Sequence, residues 1–141
     1  IQAIEDYGHH PAEIDATIRA AREGWPENRI VVVFQPHRYT RTARLFDEFS
    51  RVLSTADAVV LTDVYSAGED VIEGANSAAL CKSIRVRGMV EPILVPEISE
   101  LNASLPALLK DGDLVLLLGA GSIEMVAEDL RESGFDLRAV A

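Results

Sequence analysis

Cysteine and long apolar runs are scarce in this sequence of 141 residues. The single cysteine, Cys81, excludes an internal disulfide framework and agrees with a reducing compartment. No apolar run approaches the roughly 18 to 20 residues that cross a membrane, and no signal peptide is visible. We therefore expect a cytoplasmic protein without a membrane partner, in which Cys81 is a small core residue on a helix.

Basic residues are also few, since 13 lysines and arginines face 23 aspartates and glutamates, for a formal net charge of -10. Nucleic-acid binding depends on broad basic surface, so this balance argues against a nucleic-acid partner. Only Lys82 and Lys110 are lysines, and no glycine-rich phosphate loop ending in Gly-Lys-Ser or Gly-Lys-Thr is present. Any anion must therefore be bound by a local group of side chains, and the usual phosphate loop for ATP is missing.

Hydrophobic periodicity predicts strands that alternate with helices, and "RIVVVF" is typical of a strand covered on both faces. This alternation predicts an α/β fold: a three-layer, Rossmann-like domain with a mostly parallel sheet and helices on both faces. The predicted strands are 1–6, 29–34, 58–61, 92–95 and 113–121, and the predicted helices are 11–25, 40–55, 77–87, 98–110 (interrupted near Pro106) and 122–133.

The length fits one domain, and the chain begins at Ile1 without an initiator methionine. We expect residues 1–141 to be a single domain of a longer protein. In parallel sheets, ligands bind beyond the carboxyl ends of the strands, so a site is expected in the turns that follow them. The stretch 62–76 is long and turn-rich for such a connection, which favours an active-site loop.

Three arginines, Arg38, Arg41 and Arg44, recur at three-residue steps across a predicted helix start. Cations oppose the helix dipole there unless an anion joins them, and arginine suits a carboxylate or phosphate. We therefore predict anion binding by Arg38 and Arg41, with Arg44 on the surface. The alternative is that they pair with surface acids such as Asp47 or Glu48.

Histidines stand at two of the strand ends. His37 precedes the arginines, whose like charge should lower its pKa, so that a neutral imidazole accepts an amine proton or donates a hydrogen bond. A histidine that merely caps the turn is the alternative. His9 and His10 lie in "EDYGHHP", where adjacent histidines rarely ligate one metal, so no metal site is predicted. Asp6 could accept hydrogen bonds from a ribose hydroxyl.

Two further turns carry weaker signals. "GAGSIE" partly matches a dinucleotide-binding turn but has Glu124 at the third glycine position, so we favour a tight turn built by Gly119 and Gly121. In "DVYSAGED", Glu69 is expected to pair with the arginine cluster and Asp70 to be solvated.

The motifs "DYGHHPAEI", "FQPHRYTRT", "DVYSAGE" and "GDLVLLLGAGSI" together resemble the carboxy-terminal domain of the Mur ligases of peptidoglycan synthesis, over essentially the whole chain. The resemblance implies a cytoplasmic bacterial ligase with two further domains, one binding the UDP-sugar and one holding ATP and Mg2+. In that reaction ATP phosphorylates the carboxylate of UDP-N-acetylmuramate, and the amine of L-alanine attacks the acyl phosphate. Asp6 would meet the ATP ribose, and the domain alone would be inactive.

The resemblance also implies roles for the other site residues. Arg38 and Arg41 would hold the alanine carboxylate, and Tyr7, His9 and His37 would orient the amine, with His9 or His37 as the proton acceptor. Positioning and charge stabilisation should account for most of the rate enhancement. The alternatives are a family member that attaches whole peptides to muramic acid, a stand-alone Rossmann-like nucleotide-binding module, and an anion-sensing domain without catalysis.

Overall fold

The computed structural model describes residues 2–6, 9–119, 122–132 and 136–139. Six strands and six α-helices occupy this part of the chain. They are β1 (Gln2–Asp6), α1 (Pro11–Gly24), β2 (Ile30–Phe34), α2 (Tyr39–Arg44), α3 (Phe46–Leu53), β3 (Ala58–Leu61), α4 (Ser77–Arg87), β4 (Pro92–Leu94), α5 (Leu101–Leu108), β5 (Leu114–Leu118), α6 (Ile123–Glu132) and β6 (Asp136–Ala139).

The strands form one sheet in the order β4-β3-β2-β5-β1-β6, and every strand pair in it is parallel. Helices α1, α3 and α4 pack on one face, and α5 and α6 pack on the other. The chain moves along the sheet in one direction from β2 to β4 and then returns to insert β5 between β1 and β2. The predicted three-layer α/β fold is confirmed.

Alternate side chains of the central strands enter the two cores. Ile30, Val32 and Phe34 of β2 pack under α1, α3 and α4, whereas Val31 and Val33 pack on the opposite face. All five are buried, which explains why the strand is continuously apolar. Cys81 of α4 is also buried, as predicted, and its burial raises the pKa of its thiol to about 11.

Local signals explain where several helices begin and end. His10 is the N-cap of α1, because its Nδ1 accepts the backbone N–H of Ala12 at 3.1 Å, and Pro11 follows at the first helical position. Gly88 ends α4 in the left-handed conformation, with φ of 73°. No described helix is long and apolar enough to cross a membrane.

Three predictions about elements were wrong. The helix predicted at 40–55 is two helices that meet at Leu45, where φ of −110° and ψ of 19° break the helical path. Pro106 lies inside a continuous α5; the preceding change of geometry is a 3-10 turn at Ile98–Glu100. Strand β6 was missed, because "DLRA" has no apolar run and becomes a strand by pairing with β1.

Candidate functional site

Four turns meet at the carboxyl edge of the sheet. Strands β3, β2, β5 and β1 are consecutive neighbours, and they end at Leu61, Phe34, Leu118 and Asp6. The turns that follow them are therefore neighbours as well, as predicted from the parallel fold. Asp6 ends β1 opposite Leu118, but its side chain lies outside the described part of the structure, as does all of Tyr7.

Three aromatic rings from different turns stand side by side at this edge. The ring centroids of His9 and His37 are 5.9 Å apart, although β5 separates their two strands. His37 in turn stacks on Tyr65, with 5.5 Å between ring centroids and 16° between ring planes. Two predicted residues, His9 and His37, are thus brought together, and Tyr65 joins them from the 62–76 loop.

The backbone holds this loop against the arginine turn. Tyr65 N–H donates to the carbonyl of Pro36 at 2.8 Å, and Arg38 N–H donates to the carbonyl of Tyr65 at 2.8 Å. These bonds form a parallel bridge between His37 and Tyr65, which extends the β2–β3 pairing past the ends of both strands. The first residues of the long loop are therefore hydrogen-bonded in register with the residues that follow β2.

The surroundings of His37 favour its neutral form. Burial lowers its pKa below the ordinary value of 6.5, and the charges of Arg41, His9 and Arg38 lower it further, whereas Glu69 opposes them. The predicted direction is confirmed, and burial is the largest single cause, ahead of Arg41. Nδ1 of His37 lies 3.4 Å from Nη1 of Arg41, which can only donate, so a hydrogen bond between them has Nδ1 as the acceptor.

The three arginines of the cluster form no ion pair among the described residues, and Arg51 of α3 shares this property; the described ion pairs involve Arg19, Arg22, Arg29, Arg85 and Arg87. Among the side chains that the structure describes, no carboxylate lies within 4.0 Å of the charged groups of Arg38, Arg41 or Arg44. Asp47, a surface acid considered as their partner, instead binds Arg87 at 2.8 Å. Arg44 is exposed, as predicted. The cluster is therefore available to an anion from outside.

Glu69 contacts the helix rather than the guanidinium groups, which corrects the expected pairing. Its Oε2 accepts the hydroxyl of Thr40 at 2.6 Å, and its Oε1 accepts the Thr40 backbone N–H at 3.1 Å. The bond from the Thr40 hydroxyl is the largest cause of the lowered pKa of Glu69, and Arg38 adds a smaller contribution by charge alone. Asp70 is exposed, as expected.

Gln35 is a residue that the sequence reasoning missed. It is buried directly after β2, donates from Nε2 to the hydroxyl of Ser122 at 3.0 Å, and accepts the backbone N–H of Ile123 at 3.1 Å. Gly119 passes close by with φ of 149°, where a Cβ would lie 3.0 Å from the Gln35 carbonyl oxygen. This supports the tight-turn interpretation for Gly119; Gly121 lies outside the described residues.

The described residues contain no group of three or more His, Cys, Asp or Glu side chains placed to hold a metal ion. His10 faces α1, where its Nδ1 serves as the N-cap acceptor. The two histidines of "EDYGHHP" thus have different surroundings: His10 caps α1, and the ring of His9 lies beside that of His37.

The parallel sheet with helices on both faces defines a Rossmann-like α/β domain. Residues 1–121 match the sequence profile of the family described as Mur ligase, glutamate ligase domain. The chain belongs to the Mur ligase family.

Relatives and solved structures agree with this assignment. The chain is 53% identical over 135 residues to a UDP-N-acetylmuramate–L-alanine ligase of Xanthomonas oryzae pv. oryzae, a match that covers 96% of this chain and 28% of that protein. It thus spans about a quarter of the length of the curated relatives it matches. The crystal structure of a UDP-N-acetylmuramate-alanine ligase from Thermotoga maritima superposes with a TM-score of 0.69 at 29% identity, covering 91% of this chain and 26% of that one.

A murein peptide ligase from Psychrobacter arcticus superposes with a TM-score of 0.66 over 96% of this chain and 28% of that one. Its identity is 15%, so the likeness concerns the fold alone.

Proposed function

We propose that this chain is the carboxy-terminal, amino-acid-binding domain of a longer cytoplasmic ligase that joins L-alanine to UDP-N-acetylmuramate in peptidoglycan synthesis. The observation that carries the proposal is the arginine pair, Arg38 and Arg41, which has no described carboxylate partner and lies beside His37, whose pKa is lowered. The 53% identity to an alanine ligase supports alanine over a whole peptide as the incoming group.

In this proposal Arg38 and Arg41 bind the carboxylate of L-alanine. Guanidinium groups form charge-assisted, two-pronged bonds to carboxylates, so the pair fixes the amino acid's orientation as well as its position. A fixed amine converts an encounter in solution into a reaction within one complex, which is where most of the acceleration arises.

The tautomer of His37 divides the roles of the two histidines. With Nδ1 as the acceptor of a bond from Arg41, a neutral imidazole presents Nε2–H, which is a donor and suits a substrate oxygen. His9 is then the candidate to accept the proton that the attacking ammonium or amine must lose. Its ring, 5.9 Å from that of His37, lies beside the same space. Tyr7 remains a proposed contact of the amine.

ATP and Mg2+ belong to the proposed reaction, the sequence has no glycine-rich phosphate loop, and the described residues of this chain offer no cluster of three metal ligands. We therefore assign both to another domain of the ligase, where ATP activates the carboxyl group. Only Asp6, at the end of β1, is proposed to reach the nucleotide, through a ribose hydroxyl.

Replacing Arg38 by alanine in the full-length ligase tests the proposal. We expect the KM for L-alanine to rise about a hundredfold, since a charge-assisted bond contributes roughly 1.5 to 3 kcal/mol, while the KM for ATP changes less than twofold. Arg44→Ala removes the same charge six residues further along the chain, at the last residue of α2, and is the matched control. An unchanged alanine KM in Arg38→Ala would overturn the assignment of this residue.

The isolated 141-residue chain is expected to fold but not to form the amide. Incubating it with ATP, Mg2+, L-alanine and UDP-N-acetylmuramate, and assaying phosphate release, checks this directly. Product formation by the chain alone would contradict the placement of ATP in another domain.

A further inference from the structure

Glu69 forms a clasp between the long loop and the arginine-bearing helix. It projects from the 62–76 loop, and both of its carboxylate oxygens accept hydrogen bonds from Thr40, one from the hydroxyl and one from the backbone N–H. Thr40 is separated from Glu69 by 29 residues in sequence, so the clasp joins two segments that the fold alone brings together. The bond to the hydroxyl, at 2.6 Å, is in the short range of charge-assisted hydrogen bonds.

Thr40 stands between the two arginines proposed to bind the carboxylate. Arg38 lies two residues before it and Arg41 directly after it. The clasp therefore acts on the short backbone segment from which both guanidinium groups extend.

Arg38 is itself in a conformation that needs support. Its φ of 70° and ψ of 138° are rare for a residue with a side chain, and such a conformation persists only when the surroundings hold it. The carbonyl of Tyr65 accepts the N–H of Arg38 itself. The carboxylate of Glu69 accepts the N–H of Thr40, two residues further on. Both supports come from the same loop.

We propose that Glu69 is a positioning residue of the amino-acid site, which holds Thr40 so that Arg38 and Arg41 meet the carboxylate of the substrate in a fixed geometry. The inference rests on the proposed function, because it deepens the role of the same arginines. In this proposal Glu69 acts on the segment that carries the arginines and does not touch the substrate, so it is not a catalytic residue. Its charge also faces Arg38 without pairing with it, which leaves the guanidinium free.

The test is a double-mutant cycle in the full-length ligase. Glu69→Gln removes the charge and one acceptor at nearly constant size, and Thr40→Val removes the hydroxyl but keeps the backbone N–H. We expect Glu69→Gln to raise the KM for L-alanine about tenfold, Thr40→Val to raise it by less, and the double variant to behave like Glu69→Gln alone. The KM for ATP should change less than twofold in all three.

Asp70→Asn is the matched control, because it removes one negative charge from the adjacent, exposed position. It should leave the alanine KM within twofold of the wild-type value. If Glu69→Gln behaves like Asp70→Asn while the wild-type ligase saturates with L-alanine, the positioning role is wrong and the proposed function stands. If the wild-type rate shows no dependence on L-alanine, the proposed function itself fails.

A second measurement does not depend on catalysis. In the 141-residue chain, hydrogen exchange of the Thr40 and Arg38 amides should accelerate about tenfold in Glu69→Gln and remain unchanged in Asp70→Asn. Equal exchange in both variants would show that the clasp does not hold this backbone, and would overturn the inference without any assay of the ligase.

Discussion

The charged residues at the amino edge of the sheet have partners within the chain, whereas the arginines at its carboxyl edge have no described carboxylate partner. At the amino edge, Arg29 precedes β2 and Asp113 precedes β5, and they form a two-pronged pair with distances of 2.9 Å and 2.7 Å. Asp113 is only 2% exposed and also accepts the Lys110 backbone N–H, while Arg29 donates to the carbonyl of Leu108. At the amino edge, charge is compensated within the chain.

At the carboxyl edge, Arg38 and Arg41 lack a described carboxylate partner, the pKa of His37 is lowered, and Arg38 has a strained backbone conformation. None of these features stabilises the fold by itself. A missing internal partner does not mark a site alone, since Arg44 and Arg51 lack one as well; Arg38 and Arg41 differ in combining it with a nearby His37 and, at Arg38, a strained backbone. The amino edge should therefore determine stability, and the carboxyl edge should determine ligand binding.

The largest expected effect is at Asp113. Replacing it by alanine removes a buried carboxylate and leaves Arg29 unpaired, which should lower the free energy of unfolding by about 3 kcal/mol. Urea denaturation of the 141-residue chain measures this. Asp111→Ala, an exposed change two residues earlier, should have an effect within about 0.5 kcal/mol. If the two variants were equally stable, the amino edge would not have the stabilising role assigned to it.

The next effect concerns the turn after β5. Gly119→Ala would place a Cβ 3.0 Å from the Gln35 carbonyl oxygen at a φ of 149°, and should lower the free energy of unfolding by about 2 kcal/mol. Gly112 also has a positive φ, of 84°, but open space around it, so Gly112→Ala reports strain without the clash. Thermal denaturation of both variants tests this. A lower stability of Gly112→Ala than of Gly119→Ala would contradict the close-approach argument.

The pH dependence of stability separates the edges further. The folded chain resists protonation of His37, so below its ordinary pKa of 6.5 the unfolded state gains a proton that the folded state lacks, and stability falls. Burial pushes the pKa of Asp113 up, but bonds from Arg29 and Lys110 outweigh it and keep the pKa below 3.8. Stability from Asp113 is therefore present above pH 3.8 and lost as pH falls through the lower folded value.

Two declines are thus expected in a series of urea denaturations from pH 8 to pH 2, each with a slope of at most about 1.4 kcal/mol per pH unit for one proton. His37→Gln should remove the decline that begins near pH 6.5 and leave the acidic one in place. Persistence of the first decline in His37→Gln would assign it to another group.

Much of the fold could be predicted because most strands are short apolar runs that are visible in the sequence. The run at 30–34 is apolar on both faces, and its burial between two helical layers follows from that pattern. By contrast, β6 depends on pairing with β1, which no short segment encodes. The break at Leu45 interrupts an otherwise regular apolar repeat, which therefore does not predict it.

The site divides in the same way. His37, Arg38 and Arg41 could be predicted because a cation at a helix start is a local anomaly. The clasp from Glu69 to Thr40 and the bridge from Gln35 to Ile123 could not, because their partners are separated by 29 and 88 residues and carry ordinary polar side chains. Local chemistry pointed to the groups proposed to meet a ligand, and the contacts of Glu69 and Gln35 became visible only in the fold.

The smallest expected effect isolates the strain at Arg38. Arg38→Gly and Arg38→Ala remove the same side chain, but only glycine adopts a φ of 70° without a steric penalty. We expect Arg38→Gly to be more stable than Arg38→Ala by about 1 kcal/mol, measured by urea denaturation of the 141-residue chain. The same pair at Arg44, inside α2, should rank in the reverse order, because glycine weakens a helix. If glycine were also the less stable replacement at position 38, the carboxyl edge would hold no strain, and the stability difference between the edges would rest on charge alone.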